Sequence, residues 1–181
     1  MIAKNVIKHL GLVCRHKWVV FKLCCRVGIP WRGIVHDLSK FSWTEFGESI
    51  KYYTGTNSPI SKCRKEVGVS YAWVHHKAKN KHHPEYWLDF YPEPRPVIMP
   101  YKYTAEMICD KIAAGIIYEG KNWKQDCEYN YYMKERQGSL IHESIDKLLI
   151  DVFTQVKDYG IKKTLKRKNI KKLYKKYCEN K

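Results

Sequence analysis

Three residues of the motif HDLSK, His36, Asp37 and Lys40, carry the side chains expected of a metal site that binds an anion. Imidazole and carboxylate groups are ligands for zinc, iron, manganese, cobalt and nickel. On a helix, neighbouring side chains point about 100° apart, so both ligands could reach a metal lying between them, and the carboxylate could bridge to a second metal. Lys40 would lie on the same helix face, where its ammonium group could hold an anionic substrate.

Further residues of the ligand type lie before and after this motif. His16 precedes it, and Glu106 and Asp110, four residues apart and therefore on one face of a helix, follow it. The segment HHKAKNKHH lies between them and contributes His75, His76, His82 and His83. A solvated basic loop is the alternative for this segment, but four histidines in nine residues favour contact with metal or phosphate.

Several of these residues have an alternative role. His9 lies seven residues before His16 on the same helix face and is the rival first ligand. His16 itself could instead be a core histidine bonded to the backbone. Glu106 is either a catalytic group, the partner of a metal ligand or a surface charge. His142 is expected to be a helix-face residue and not a ligand.

The order of these residues resembles that of the HD-domain superfamily of metal-dependent phosphohydrolases. The resemblance runs from His16 to about Ala114, roughly half the chain. HDLSK is similar to the superfamily motif HDxGK, with Ser39 where glycine is usual, and CDKIAA is similar to the late-Asp motif. The chain also resembles an uncharacterised bacterial and phage family within this group. The resemblance implies a first metal on His16, His36, Asp37 and Asp110, and a second metal on the additional histidines.

The function implied by the resemblance is hydrolysis of a phosphate ester, for example a nucleotide, by water activated on one or two divalent ions. Lys40, Asp37 and Glu106 are then the catalytic candidates. Charge neutralisation of the phosphate would come from Lys40 and from the loop lysines Lys77, Lys79 and Lys81. Two alternatives stay open: a di-iron oxygenase on the same fold, and a non-enzymatic protein that binds nucleic acid.

Apolar residues recur at helical spacing along most of the chain, which predicts an all-α, HD-domain-like bundle. Ser42 is expected to cap a helix, with Glu45 as its capping-box partner. We predict residues 1–160 as one metal-binding domain and residues 161–181 as a basic amphipathic helix packed on it. The helices are predicted at about 2–27, 31–40, 42–53, 59–76, 103–118, 126–137, 139–159 and 161–181, with a short helix near Pro84, an extended proline-rich strap at 92–100 and no strand.

Composition and charge limit the classes of function. Hydrophobic residues make up 44% of the 181 residues, enough for one sizeable core. The net charge is +16, and residues 161–181 hold ten Lys or Arg against one acid, which favours phosphate-bearing partners, including nucleic acid at the tail. Seven cysteines, an odd number, do not suggest a disulfide framework, and reduced thiols indicate the cytoplasm. Neither a signal peptide nor an apolar run of about 20 residues is expected.

Overall fold

Helices make up nearly all the regular structure in the computed structural model, which describes residues 2–55 and 58–179. The predicted all-α class is confirmed. One antiparallel ribbon of two strands, β1 (Leu88–Asp89) and β2 (Arg95–Pro96), lies in the proline-rich strap, with Leu88 opposite Pro96. The helices are α1 (Ile2–Val27), α2 (Pro30–Val35), α3 (Trp43–Lys51), α4 (Pro59–Val67), α5 (Tyr71–Lys79), α6 (Tyr101–Glu119), α7 (Cys127–Glu135), α8 (Glu143–Tyr159), α9 (Ile161–Thr164) and α10 (Arg167–Tyr174).

The core lies between α1, α6 and α8. These helices bury apolar side chains such as Val20, Ile108, Ile112 and Val152 completely. Removing apolar surface from water is the main favourable contribution to folding, at about 25 cal/mol per Å². The same packing fixes α1 against α6, so the polar side chains on the neighbouring faces of these two helices are held in a constant relative position.

The prediction of one helix over residues 31–40 is wrong, because α2 ends at Val35. His36 has ψ near 128°, and Asp37 adopts the left-handed conformation with φ 51°. Aspartate is one of the few residue types that tolerates this conformation. Lys40 lies on a 3₁₀ turn, Leu38–Phe41, whose first bond runs from the Lys40 N–H to the Asp37 carbonyl. The shared helix face inferred for His36, Asp37 and Lys40 is therefore absent, and a tight turn brings them together.

The helix predicted over residues 59–76 is divided in two. Gly68 ends α4 with φ 86°, a conformation that glycine adopts without steric cost, and Ser70 begins α5 by accepting a bond from the Trp73 N–H. Ser42 caps α3 as predicted, accepting from the Glu45 N–H at 3.4 Å. The Glu45 carboxylate, however, does not close a capping box, since it bonds to histidines of α5.

The basic tail forms two short helices and a final wide turn, Lys175–Glu179, instead of the single helix predicted. Leu165, at the break, is fully buried, and the Thr164 hydroxyl donates to the Gln155 carbonyl. Ile170 and Leu173 also enter the core, while the tail lysines within the described residues are exposed. The predicted tail residues 180–181 lie outside the described residues.

Two further observations concern the start of α8 and the length and polarity of the helices. Helix α8 begins at Glu143 and not at Ser139, because His142 caps it by accepting from the Ser144 N–H. Throughout residues 2–55 and 58–179, every helix is too short or too polar to cross a bilayer.

Candidate metal centre

Five segments of the chain bring imidazole and carboxylate groups to one buried place. Helix α1 contributes His16, the turn after α2 contributes His36 and Asp37, and α5 contributes His76. The remaining groups are His82 and His83 from the loop after α5, and Glu106 and Asp110 from α6. Because the segments are far apart in sequence, only the folded chain assembles this cluster.

The first set of donor atoms comes from His16, His36, Asp37 and Asp110, and these atoms all lie within 4.8 Å of one another. His16 Nε2 lies 2.9 Å from Asp110 Oδ1. His36 Nε2 lies 3.4 Å from both Asp37 Oδ2 and Asp110 Oδ1. Two imidazoles and two carboxylates at this spacing form a set that suits a divalent transition metal.

The second set comes from Asp37, His76, His82 and His83, with donor atoms within the same 4.8 Å limit. Asp37 Oδ1 lies 3.4 Å from His76 Nε2 and 3.4 Å from His82 Nε2. Asp37 therefore belongs to both sets, with Oδ2 towards the first and Oδ1 towards the second. This is the arrangement of a carboxylate that can bridge two ions.

Four atoms of these sets are buried without a hydrogen-bond partner: His36 Nε2, Asp37 Oδ1, His82 Nε2 and His83 Nε2. A buried polar atom that makes no hydrogen bond costs about 1–3 kcal/mol, and such atoms are uncommon in native proteins. All four point into the two sets. The donor atoms present therefore fit metal ions, which would satisfy each of them.

The charge states of Asp37 and His83 suit a cation. Burial opposes ionisation of Asp37, but His36 and Lys40 outweigh it and hold its pKa well below the usual range. Burial, followed by the neighbouring His82 and His76, lowers the pKa of His83, which keeps that imidazole neutral. Metal ligands must be ionised carboxylates and neutral imidazoles, and Asp37 and His83 satisfy that condition. Burial opposes the charge of His36, but Asp37, Asp110 and Glu106 outweigh it and raise the pKa of His36 to about 10, so a metal ion bound to His36 would have to displace its proton.

Glu106 is fully buried and contacts the far edge of two ligand rings. Its Oε1 lies 3.1 Å from His36 Nδ1 and 3.5 Å from His82 Nδ1, and its Oε2 accepts from Arg32 Nε at 2.7 Å. Burial opposes the charge of Glu106, but its contacts with His36, His82 and Arg32 lower its pKa to about 2. A carboxylate at Nδ1 fixes the tautomer that directs Nε2 at a metal. Glu106 can thus orient both rings, and with His36 and His82 it also forms a third set of donor atoms that lie within 4.8 Å of one another.

Glu45 has the same relation to the second set, although its sequence position identifies it only as part of a helix cap. It is buried, and its two oxygens lie 2.7 Å from His75 Nδ1 and 2.8 Å from His76 Nδ1. Asn80 was also missed. It donates to the His76 carbonyl and to Ser39 Oγ, so the serine of HDLSK helps to hold the second set.

Other candidates from the sequence lie outside both sets. His75 bonds to Glu45, and its side chain is 28% exposed. Lys77 pairs with Glu85 at 3.7 Å, and Lys81 lies over the Tyr86 ring. His9 packs against aromatic rings of α3 and of the segment after it, at ring distances of 5.5 Å. Of the histidines in HHKAKNKHH, the described sets include His76, His82 and His83 but not His75.

Lys40 lies on the more open side of the centre. Its Nζ is 2.6 Å from Asp37 Oδ2, and its side chain is 31% exposed. Burial opposes its charge, but Asp37 and Asp110 outweigh this effect and raise its pKa, so the ammonium group stays charged. An anion that approached the first set from this side would meet Lys40.

Comparison with known proteins gives one match. A family model described as a family of unknown function, DUF5662, matches residues 5–155. That span includes every residue of the two donor sets. No curated protein and no solved structure matches the chain.

Proposed function

The chain belongs to the DUF5662 family, and we propose that it is a metal-dependent hydrolase of phosphate esters, related to the HD-domain phosphohydrolases. The observation that carries this proposal is the pair of donor sets that share Asp37, with Lys40 bonded to the same carboxylate. Two-ion sites with an adjacent cation are suited to the charge that develops on a transferring phosphoryl group.

In this proposal His16, His36, Asp37 and Asp110 hold one divalent ion. Asp37 with His76, His82 and His83 holds the other. Iron, manganese, zinc, nickel and cobalt are all compatible with imidazole and carboxylate donors. When bound, the ions would lower the pKa of a water molecule and neutralise phosphoryl charge.

The residues of the chain would orient the reacting groups. Lys40 binds a phosphoryl oxygen, since its ammonium group is charged, partly exposed and held beside the bridging carboxylate. Glu106 and Glu45 keep the Nε2 atoms of His36, His82 and His76 directed inward through their Nδ1 contacts. A nucleotide is a candidate substrate. The seven cysteines, an odd number, fit a cytoplasmic location for this activity.

A substrate panel tests the proposal. Purified protein supplied separately with Mn²⁺, Fe²⁺, Co²⁺, Ni²⁺ or Zn²⁺ is assayed with nucleotides and simple phosphomonoesters. At least one combination should be turned over, and Asp37→Asn should abolish turnover because both donor sets lose their shared ligand. Asp89→Asn, an exposed carboxylate in β1, is the matched control and should keep full activity.

Two results would count against this function. If no phosphate ester is turned over with any of the metals, the hydrolase proposal fails. Protein that carries iron, consumes oxygen and hydrolyses no phosphate ester would instead support the di-iron oxygenase, for which the same donor sets are suitable.

A further inference from the structure

A cleft of about 370 Å³ lies next to the metal centre but contains none of its donor residues. Its volume falls within the range of about 300–1,000 Å³ that is typical of small-ligand sites. Lys40 does not line it, so it is separate from the open side described above. The side chains that line it are Arg32, Val35, Leu38, Ser39, His75, Lys79 and Asn80.

The polar lining is rich in hydrogen-bond donors and has no carboxylate among the described residues. Arg32 and Lys79 bring two positive charges. Arg32 uses Nε for Glu106, which leaves its terminal nitrogens available to a ligand, because a guanidinium group has five N–H donors. The arrangement suits a compact anion with several oxygens.

We propose that this cleft binds a small inorganic oxyanion, such as phosphate, between Arg32 and Lys79. Arginine and lysine both bind phosphate oxygens strongly through charge-assisted hydrogen bonds. Lys79 was expected to neutralise the charge of the substrate phosphate. It instead has a separate role in this proposal, because it lines the cleft and belongs to neither donor set.

The position of the cleft suggests what the anion does. Arg32 contacts Glu106, and His75 contacts Glu45. These two carboxylates are the groups that hold the Nδ1 atoms of ligand histidines. An anion that fixes Arg32 would therefore also fix Glu106, and so act as an effector on the neighbouring metal centre.

Calorimetric titration of the purified protein with sulfate tests the binding. Sulfate has the required tetrahedral shape and charge and is not a product of phosphate-ester hydrolysis, so the result does not depend on the proposed function. We expect saturable binding in the millimolar range. Lys79→Ala should weaken it about tenfold, the loss expected for one charge-assisted contact.

Two lysine variants are the controls. Lys77→Ala removes a charge two residues earlier on α5 that does not line the cleft, and Lys40→Ala removes the cation on the open side of the metal centre. Both should bind sulfate as the unaltered protein does. The proposal is overturned if sulfate does not bind saturably, if Lys79→Ala binds it with unchanged affinity, or if Lys40→Ala causes the loss.

Discussion

At the scale of single residues, Asp37 determines whether one centre or two separate sites exist. Its two oxygens face different groups of imidazoles at 3.4 Å. The backbone at Asp37 is left-handed, and this conformation allows the carboxylate to enter the buried space directly beside His36. The ligand types at His16, His36, Asp37 and Asp110 could be recognised from the sequence. The left-handed turn could not, because aspartate only tolerates this conformation and does not require it.

Lys40 is predicted to contribute to catalysis through its charge. Lys40→Ala should leave metal content and fold unchanged, while hydrolysis of a phosphate ester falls about tenfold or more, since 1.36 kcal/mol of lost transition-state stabilisation is tenfold in rate. Lys62→Ala, which removes a surface lysine paired with Glu66, should have no effect. Equal rates for both variants in a steady-state assay would show that Lys40 is only a surface lysine.

Glu106 is predicted to act on metal affinity through His36 and His82. Glu106→Gln should weaken metal binding about 10–100-fold, the usual cost of losing a carboxylate that orients ligand histidines. Competition with a chelating indicator measures this affinity without an activity assay. Glu135→Gln, at a surface pair with Lys111, is the control. Unchanged metal affinity in Glu106→Gln would mean that this carboxylate only neutralises Arg32.

At the scale of elements, the long helices could be predicted from periodicity and the interruptions could not. Helices α1 and α6 follow clear apolar repeats. The breaks at His36 and Leu165 have no comparable signal, because each depends on contacts with distant segments, such as the Thr164 hydroxyl on Gln155. Glu45 illustrates the same limit. Its spacing from Ser42 fits a capping box, but its carboxylate bonds to His75 and His76 of α5.

The tail is predicted to stabilise the whole domain. Leu173 is buried in the core, so Leu173→Ala should lower the free energy of unfolding by about 2–5 kcal/mol without changing metal content. Urea denaturation gives this value, and Lys172→Ala, at the exposed neighbouring position, should change it little. A tail that is cut by protease without loss of melting temperature would instead be a free basic arm.

The junction of α6 and α7 is predicted to make stability depend on pH. Glu128 is buried beside Gly115, whose missing Cβ leaves room for the carboxylate, and Trp123 Nε1 donates to it. Burial raises the pKa of Glu128 to about 7. A raised carboxyl pKa means that the charged form disfavours the fold, so this destabilisation is absent below the unfolded value of about 4.3 and develops as the pH rises through 7.

Glu128→Gln keeps an acceptor for Trp123 and removes the charge. It should therefore raise the melting temperature at about pH 8 and change it much less at about pH 5, following the ionisation of the carboxyl group. Glu93→Gln, at an exposed position, should have no effect at either pH. A gain of equal size at both pH values would exclude ionisation as the cause.

Across the whole protein, a net charge of +16 coexists with several buried carboxylates at the centre. The exposed lysines of the tail increase attraction for anions in general, and binding of nucleic acid there stays a prediction. The all-α class could be predicted from the sequence. The assembly of two donor sets from five segments could be predicted only in part, because the sequence shows the ligand types and their order but not which of the clustered histidines point inward.

The central claim is that Asp37 bridges two metal ions, and anomalous diffraction from crystals of the metal-supplied protein tests it directly. We expect two anomalous peaks in each chain, separated by about 3.5–4 Å as in other two-metal sites. The first peak should lie on His16, His36 and Asp110, the second on His76, His82 and His83, and Asp37 should contact both. A bridging role for Asp37 would be contradicted if crystals grown with each of the five metals showed no anomalous peak at these residues, or peaks only elsewhere.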